Sequence, residues 1–133
     1  STLTTTSTSY VDTGISATIT PSSSSNKVFV MAGLHVYLHG TGTAGWTRAN
    51  FLIKRGTTNI FESADDSTGY TFSLHSNDAN DRVMMKTHIP YLDSPATTSS
   101  TTYSIYANSA NGYSISLTTA YGKSEITLME IKA

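Results

Sequence analysis

The chain returns repeatedly to short runs in which apolar and polar residues alternate strictly, as in Ile15-Ser16-Ala17-Thr18-Ile19 and Tyr113-Ser114-Ile115-Ser116-Leu117. A period of two puts one residue set on a buried face and the other in water, the pattern of half-buried antiparallel strands. It predicts strands over Leu3–Val11, Ile15–Thr20, Lys27–Leu38, Thr47–Lys54, Asn59–Glu62, Tyr70–His75, Arg82–Leu92, Thr101–Ala107, Tyr113–Thr119 and Ser124–Ile131. Turn residues separate them, and Asn111-Gly112 is the strongest local signal, predicting a two-residue hairpin. Asp12-Thr13-Gly14 also reads as a turn. About ten strands leave no room for a helix. An antiparallel sheet with one apolar face must bury it against another sheet, so the expected fold is all-β, an antiparallel β-sandwich or jelly roll, with a barrel as the alternative closure. Ser22–Ser25 could pass for a linker, but apolar alternation resumes directly after it, and residues 1–133 read as a single domain.

Three strands carry more apolar surface than one sandwich interior can absorb. In Lys27–His39, Val28, Val30, Ala32, Leu34, Val36 and Leu38 share one face, while Phe29, Met31, Gly33, His35, Tyr37 and His39 share the other. Arg82–Leu92 sets Val83, Met85, Ile89 and Tyr91 against Met84, His88 and Leu92, and the last strand sets Ile126 and Leu128 against Met129 and Ile131, which suits a strand buried on both sides. The surplus faces predict burial between subunits. Tyrosine outnumbers phenylalanine eight to four and is enriched at interfaces, where its ring packs and its hydroxyl hydrogen-bonds. His35, Tyr37, Tyr91, Tyr103 and Met129 are the expected subunit contacts.

Composition narrows the function classes. Roughly a third of the residues are Ser or Thr, the charged fraction is 13% and the net charge is −1, so nucleic acid is not an expected partner. With no cysteine, the redox compartment is unreadable. No apolar run approaches the ~18–20 residues of a membrane-spanning helix, and the N-terminal residues lack the basic and apolar regions of a signal peptide, so a soluble chain with no membrane insertion is expected.

Catalytic motifs are missing: there is no Gly-x-Ser-x-Gly, no P-loop and no His-Glu-x-x-His, and no enzyme activity is expected. No metal or cofactor is expected either. His35 and His39 share a strand face about 13 Å apart at ~3.3 Å per residue, too far for one ion, although symmetry copies of one histidine around a trimer axis can share one. Asp65-Asp66 and Asn77 through Asp81 are oxygen-rich, but such residues are the ordinary material of turns. Trp46, the sole tryptophan, follows the glycine-rich segment Gly40–Gly45. It is either a plug over the sandwich end or a platform for a ligand, and taken alone it reads first as a plug. As a platform its indole would stack on the C–H face of a sugar, with Arg48, Asp65, Asp66, Asn77 and Asn80 meeting the hydroxyls if their loops gather at one end.

Three stretches, Thr4 through Gly14 leading into Ile19-Thr20-Pro21-Ser22-Ser23, then Tyr91 through Thr98 before Thr102-Tyr103, and Ile126 through Ile131, together resemble C-terminal domains of bacteriophage tail-fibre and related virion adhesin proteins. The resemblance implies a trimeric β-sandwich head, similar to the tumour-necrosis-factor and complement C1q head fold, at a fibre tip or on the virion surface. It carries over no catalytic or binding residues. The resulting expectation is a non-enzymatic homotrimeric adhesin, made in the host cytoplasm and extracellular once assembled, that binds a host surface receptor, a glycan first of all, beside other virion proteins. Three weak sites would then gain affinity together. The competing expectation is a structural virion protein, a capsid decoration or fibre cap, with no host ligand.

Overall fold

The computed structural model describes residues 3–63, 72–117 and 122–133. Ten strands form, and no helix is found among the described residues: β1 (Leu3–Thr5), β2 (Val11–Ile19), β3 (Lys27–His39), β4 (Gly45–Arg55), β5 (Thr58–Glu62), β6 (Phe72–Ser76), β7 (Arg82–Asp93), β8 (Thr101–Ser109), β9 (Ile115–Leu117) and β10 (Glu125–Ile131). They make two antiparallel sheets packed as a β-sandwich. In the first sheet β3 is the spine: β7 pairs along one edge, and β10 and β9 share the other, with β1 beyond β9. In the second, β4 pairs with β8 on one side and with β5 and β6 on the other, and β2 lies outside β8.

Alternation does what the sequence predicts. Val28, Val30, Ala32, Leu34, Val36 and Leu38 are all fully buried, facing Ala49, Phe51, Ile53, Tyr103, Ile105 and Ala107 of the second sheet. Each large buried aliphatic or aromatic side chain contributes about 1.5–3 kcal/mol. A polar clamp joins the sheets at the edge of this core: the Arg55 guanidinium bonds both Asp93 carboxylate oxygens at 2.9 and 2.8 Å, and the Tyr103 hydroxyl donates to Asp93 at 2.7 Å. Burial, and then Asp93, pushes the Tyr103 phenol well above its usual range.

Several local expectations change. Asp12-Thr13-Gly14 is a bulge inside β2, not a turn: the register against β8 shifts between Asp12 and Ile15, Gly14 takes φ +73°, and the Thr13 hydroxyl turns inward to the Ile105 carbonyl at 2.7 Å. The predicted Leu3–Val11 strand is broken, since residues 6–10 leave the first sheet to reach the second. Asn111-Gly112 closes no hairpin, because β8 and β9 belong to different sheets and only Gly112 has a positive φ. The two-residue hairpin is instead Gly56-Thr57, between the paired residues Arg55 and Thr58. Strand β10 is an edge strand whose outer face is open within the chain, with Met129 48% and Ile131 42% exposed. The Ser22–Ser25 loop is held within the one sandwich: the Ser22 amide and the Asn26 side-chain amide both donate to Glu130 Oε1, at 2.6 and 2.7 Å.

Two expected subunit contacts face inward, one fully and one partly buried. Tyr103 is fully buried between the sheets. Tyr91 sits on the inward face of β7, its ring 5.9 Å from Phe61 of the other sheet. In both cases the alternation of the strand outweighs the general preference of tyrosine for interfaces.

Candidate functional site

Three connections gather at one end of the sandwich: the β3–β4 loop, the β6–β7 loop and the β8–β9 turn. The first two are locked together at Gly40, whose amide donates to the Asp81 carbonyl at 2.8 Å. A side chain there would collide with the Asp78 backbone carbonyl. The β6–β7 loop is then closed on itself, with Asp78 Oδ1 accepting from the Asn80 amide at 2.8 Å and from its side chain at 3.0 Å. This is an Asx turn. Asn80 is thereby engaged within the loop, and Asn77 stands exposed at its base.

Trp46 rises beside these loops, but it belongs to the second residue of β4 rather than to the glycine-rich segment. Its neighbour Thr47 points into the core and is fully buried, so Trp46 takes the outer face, where it is 42% exposed. The plug reading is therefore replaced: the indole lies on the outside of the second sheet. Antiparallel pairing sets His75 of β6 opposite, with ring centroids 4.7 Å apart at 63°, and the next outward residue on β4, Arg48, holds its guanidinium 5.3 Å over the indole. Such a contact is an electrostatic attraction between the cation and the face of the ring. The β8–β9 turn braces the strand along its β8 edge, with the Asn111 side-chain amide donating to the Trp46 carbonyl at 2.5 Å and the Ala110 amide to the Arg48 carbonyl at 2.9 Å.

Farther along the same face the surface closes over. Asn50 and Asn108 form a cross-strand pair, and both are at least nine-tenths buried. Residues 6–10 lie across them, the Thr8 carbonyl accepting from Asn108 at 2.9 Å. Burial and the Glu62 carboxylate push the Tyr10 phenol well above its usual range. At the loop end the face stays open around Trp46, Arg48, Ser73 and His75, an aromatic surface with polar groups at its margin. Asp65 and Asp66 lie outside the described residues. Among the described residues, no three His, Cys, Asp or Glu side chains come together as metal ligands.

Sequence reasoning missed His75 and Asn111 in this group. His75 joins it only through the β4–β6 register, and the connection between those strands carries no signal of which residues face each other. Asn111 was visible as a turn residue, but the strand on which its turn docks was not.

The outer face of the first sheet has a different character. Register places Met129, Phe29 and Leu92 side by side across β10, β3 and β7, and next to them Thr127, Met31 and Pro90. Leu92 is 48% and Met84 51% exposed. His35 and Tyr37 lie on this face as expected. Tyr37 packs edge-on against His39 at 4.4 Å, and the His35 ring lies against Gly122. Burial, and secondarily Arg82, lowers the pKa of His39. Between the apolar rows runs one exposed ion pair, Lys86 to Glu125 at 3.4 Å.

No protein-family model matches the chain, and none of the curated proteins is similar enough to count as a relative.

Proposed function

We propose that the chain is a non-enzymatic adhesin head carried on a virion surface, where a homotrimer offers three copies of the Trp46 platform to a glycan on the host cell. The observation that carries this reading is the outward, 42% exposed Trp46, flanked by Arg48 and His75 at the end where three connections meet. An exposed indole with polar groups at its margin suits the apolar C–H face and ringed hydroxyls of a sugar. The apolar outer face of the first sheet supports self-association, because exposed rows of this kind are uncommon on monomers. It leaves the Trp46 platform, on the opposite sheet, free for a ligand. The resemblance to tail-fibre domains supports placing the head on a phage particle, assembled in the host cytoplasm and extracellular afterwards.

The experiment is a glycan array of host-type saccharides probed with wild-type protein and with Trp46→Ala at equal concentration. Binding by the wild type, weakened by about 1–3 kcal/mol per site in the variant, is the expected result. A folded wild-type protein that binds neither glycans nor host cells would instead favour a capsid decoration or fibre cap.

A further inference from the structure

The β8–β9 turn contains the chain's one Asn-Gly pair among seven asparagines. Both residues are exposed, and Gly112 has φ +79°. The Gly112 amide is held only by a long bond, 3.4 Å to the Ser109 carbonyl. Nothing but the Thr6 carbonyl comes within 4.0 Å of where a Gly112 Cβ would be. The Asn111 side-chain amide is tied to the Trp46 carbonyl.

We propose that Asn111 is a site of spontaneous deamidation, and that its conversion cuts the tie between the β8–β9 turn and Trp46. The Gly112 backbone nitrogen attacks Asn111 Cγ, forming a new Cγ–N bond. The Cγ–Nδ2 bond breaks, and Nδ2 leaves as ammonia carrying the proton given up by Gly112. Water then opens the cyclic imide, at Cγ to give aspartate or at the backbone carbonyl carbon to give isoaspartate. No oxidant or cofactor enters.

The geometry favours this position over the other asparagines. Glycine places no side chain in the path of attack, and the open surroundings let the turn rearrange. Asn50, Asn108 and Asn26 are buried, and Asn59 lies in β5 ahead of Ile60. Asn77 and Asn80 are exposed, but each precedes an aspartate whose side chain crowds the attacking nitrogen and whose negative charge opposes its deprotonation. The bond to the Trp46 carbonyl must open before Cγ can turn toward the Gly112 nitrogen. The product carboxylate has no hydrogen to donate. It would face the Trp46 carbonyl oxygen, acceptor against acceptor, while the Ala110 to Arg48 bond remains. The inference concerns the chain alone and holds whatever the protein binds.

The sole tryptophan is the reporter. Wild type, Asn111→Gln and Asn111→Asp are incubated in mildly alkaline buffer, followed by peptide mapping with an isoaspartate assay and by Trp46 emission. Conversion at Asn111 is expected to run several-fold faster than at any other asparagine, with a shift in emission that keeps step with it. Asn111→Asp should show the shifted emission from the start, and Asn111→Gln no drift. Conversion as fast at other asparagines, or none at Asn111 while a free peptide of residues 109–114 converts, overturns the site. Unchanged emission after full conversion overturns the link to Trp46.

Discussion

At the scale of single residues, the interior polar groups are the most consequential. Tyr103 donates to an Asp93 carboxylate that is also bonded by Arg55, so Tyr103→Phe removes one of three bonds to a buried charge. Hydrogen bonds to charged groups contribute about 1.5–3 kcal/mol, and a loss of that size is expected in denaturant unfolding, with no change in the cooperativity of the transition. Glu130 gives a pH test. Hydrogen bonds from Asn26 and then Ser22 hold its carboxyl below the usual range. A folded-state pKa below the unfolded one means stability that is complete above the ordinary carboxylate range and is lost as pH falls through the lowered value. Melting curves of wild type and Glu130→Gln should therefore differ near neutrality and converge in acid. A constant gap across that range would show that the charge is not what these bonds stabilise. Neither role was legible from sequence. Asp93 stands before Ser94-Pro95 and looks like a turn residue, and a tyrosine says nothing of whether its hydroxyl meets water, a neighbour or a carboxylate from the other sheet.

At the scale of elements, the alternation placed a strand overlapping each observed one, because burying one face is the strongest constraint on a strand, but it ran β1 on to Val11 and began β2 at Ile15 instead of Val11. It also assigned the two faces of β3, β7 and β10 residue by residue. What it could not give was partnership. Asn111-Gly112 has hairpin chemistry, yet β9 pairs with β1 and β3, so tertiary pairing overrides the local turn preference. The Asp12 to Gly14 bulge reads as a turn for a related reason: a positive-φ glycine serves either purpose, and only the neighbouring strand decides. Adjacent residues of β10 test the face assignment. Leu128 packs against the core and Met129 faces outward. Leu128→Asp should lower the melting temperature and leave little soluble protein, since it sets a carboxylate against the apolar core that Leu128 packs on. Met129→Asp should keep the melting temperature of the isolated fold. Equal damage from both would mean that β10 is buried on both faces even in one chain.

At the scale of the whole molecule, the two outer faces divide the proposed work. The apolar rows of the first sheet would join three chains, and multi-angle light scattering should report a trimer for the wild type and a smaller species for Met129→Asp. The second sheet would face the host with Trp46, Arg48 and His75. The sequence pointed to Trp46 and Arg48 by residue type, but their grouping with His75 and Asn111 depends on a register that only the assembled sheet supplies. Three sites on one trimer raise apparent affinity through effective concentration, so a weak platform can hold a particle to a cell. The central claim is tested most directly by measuring host-cell binding of wild type and Trp46→Ala at matched oligomeric mass. The account predicts strong binding by the wild type and a loss of at least tenfold by a folded variant of unchanged mass, the consequence of about 1.4 kcal/mol at each site. Binding by the folded Trp46→Ala protein equal to that of the wild type would contradict it.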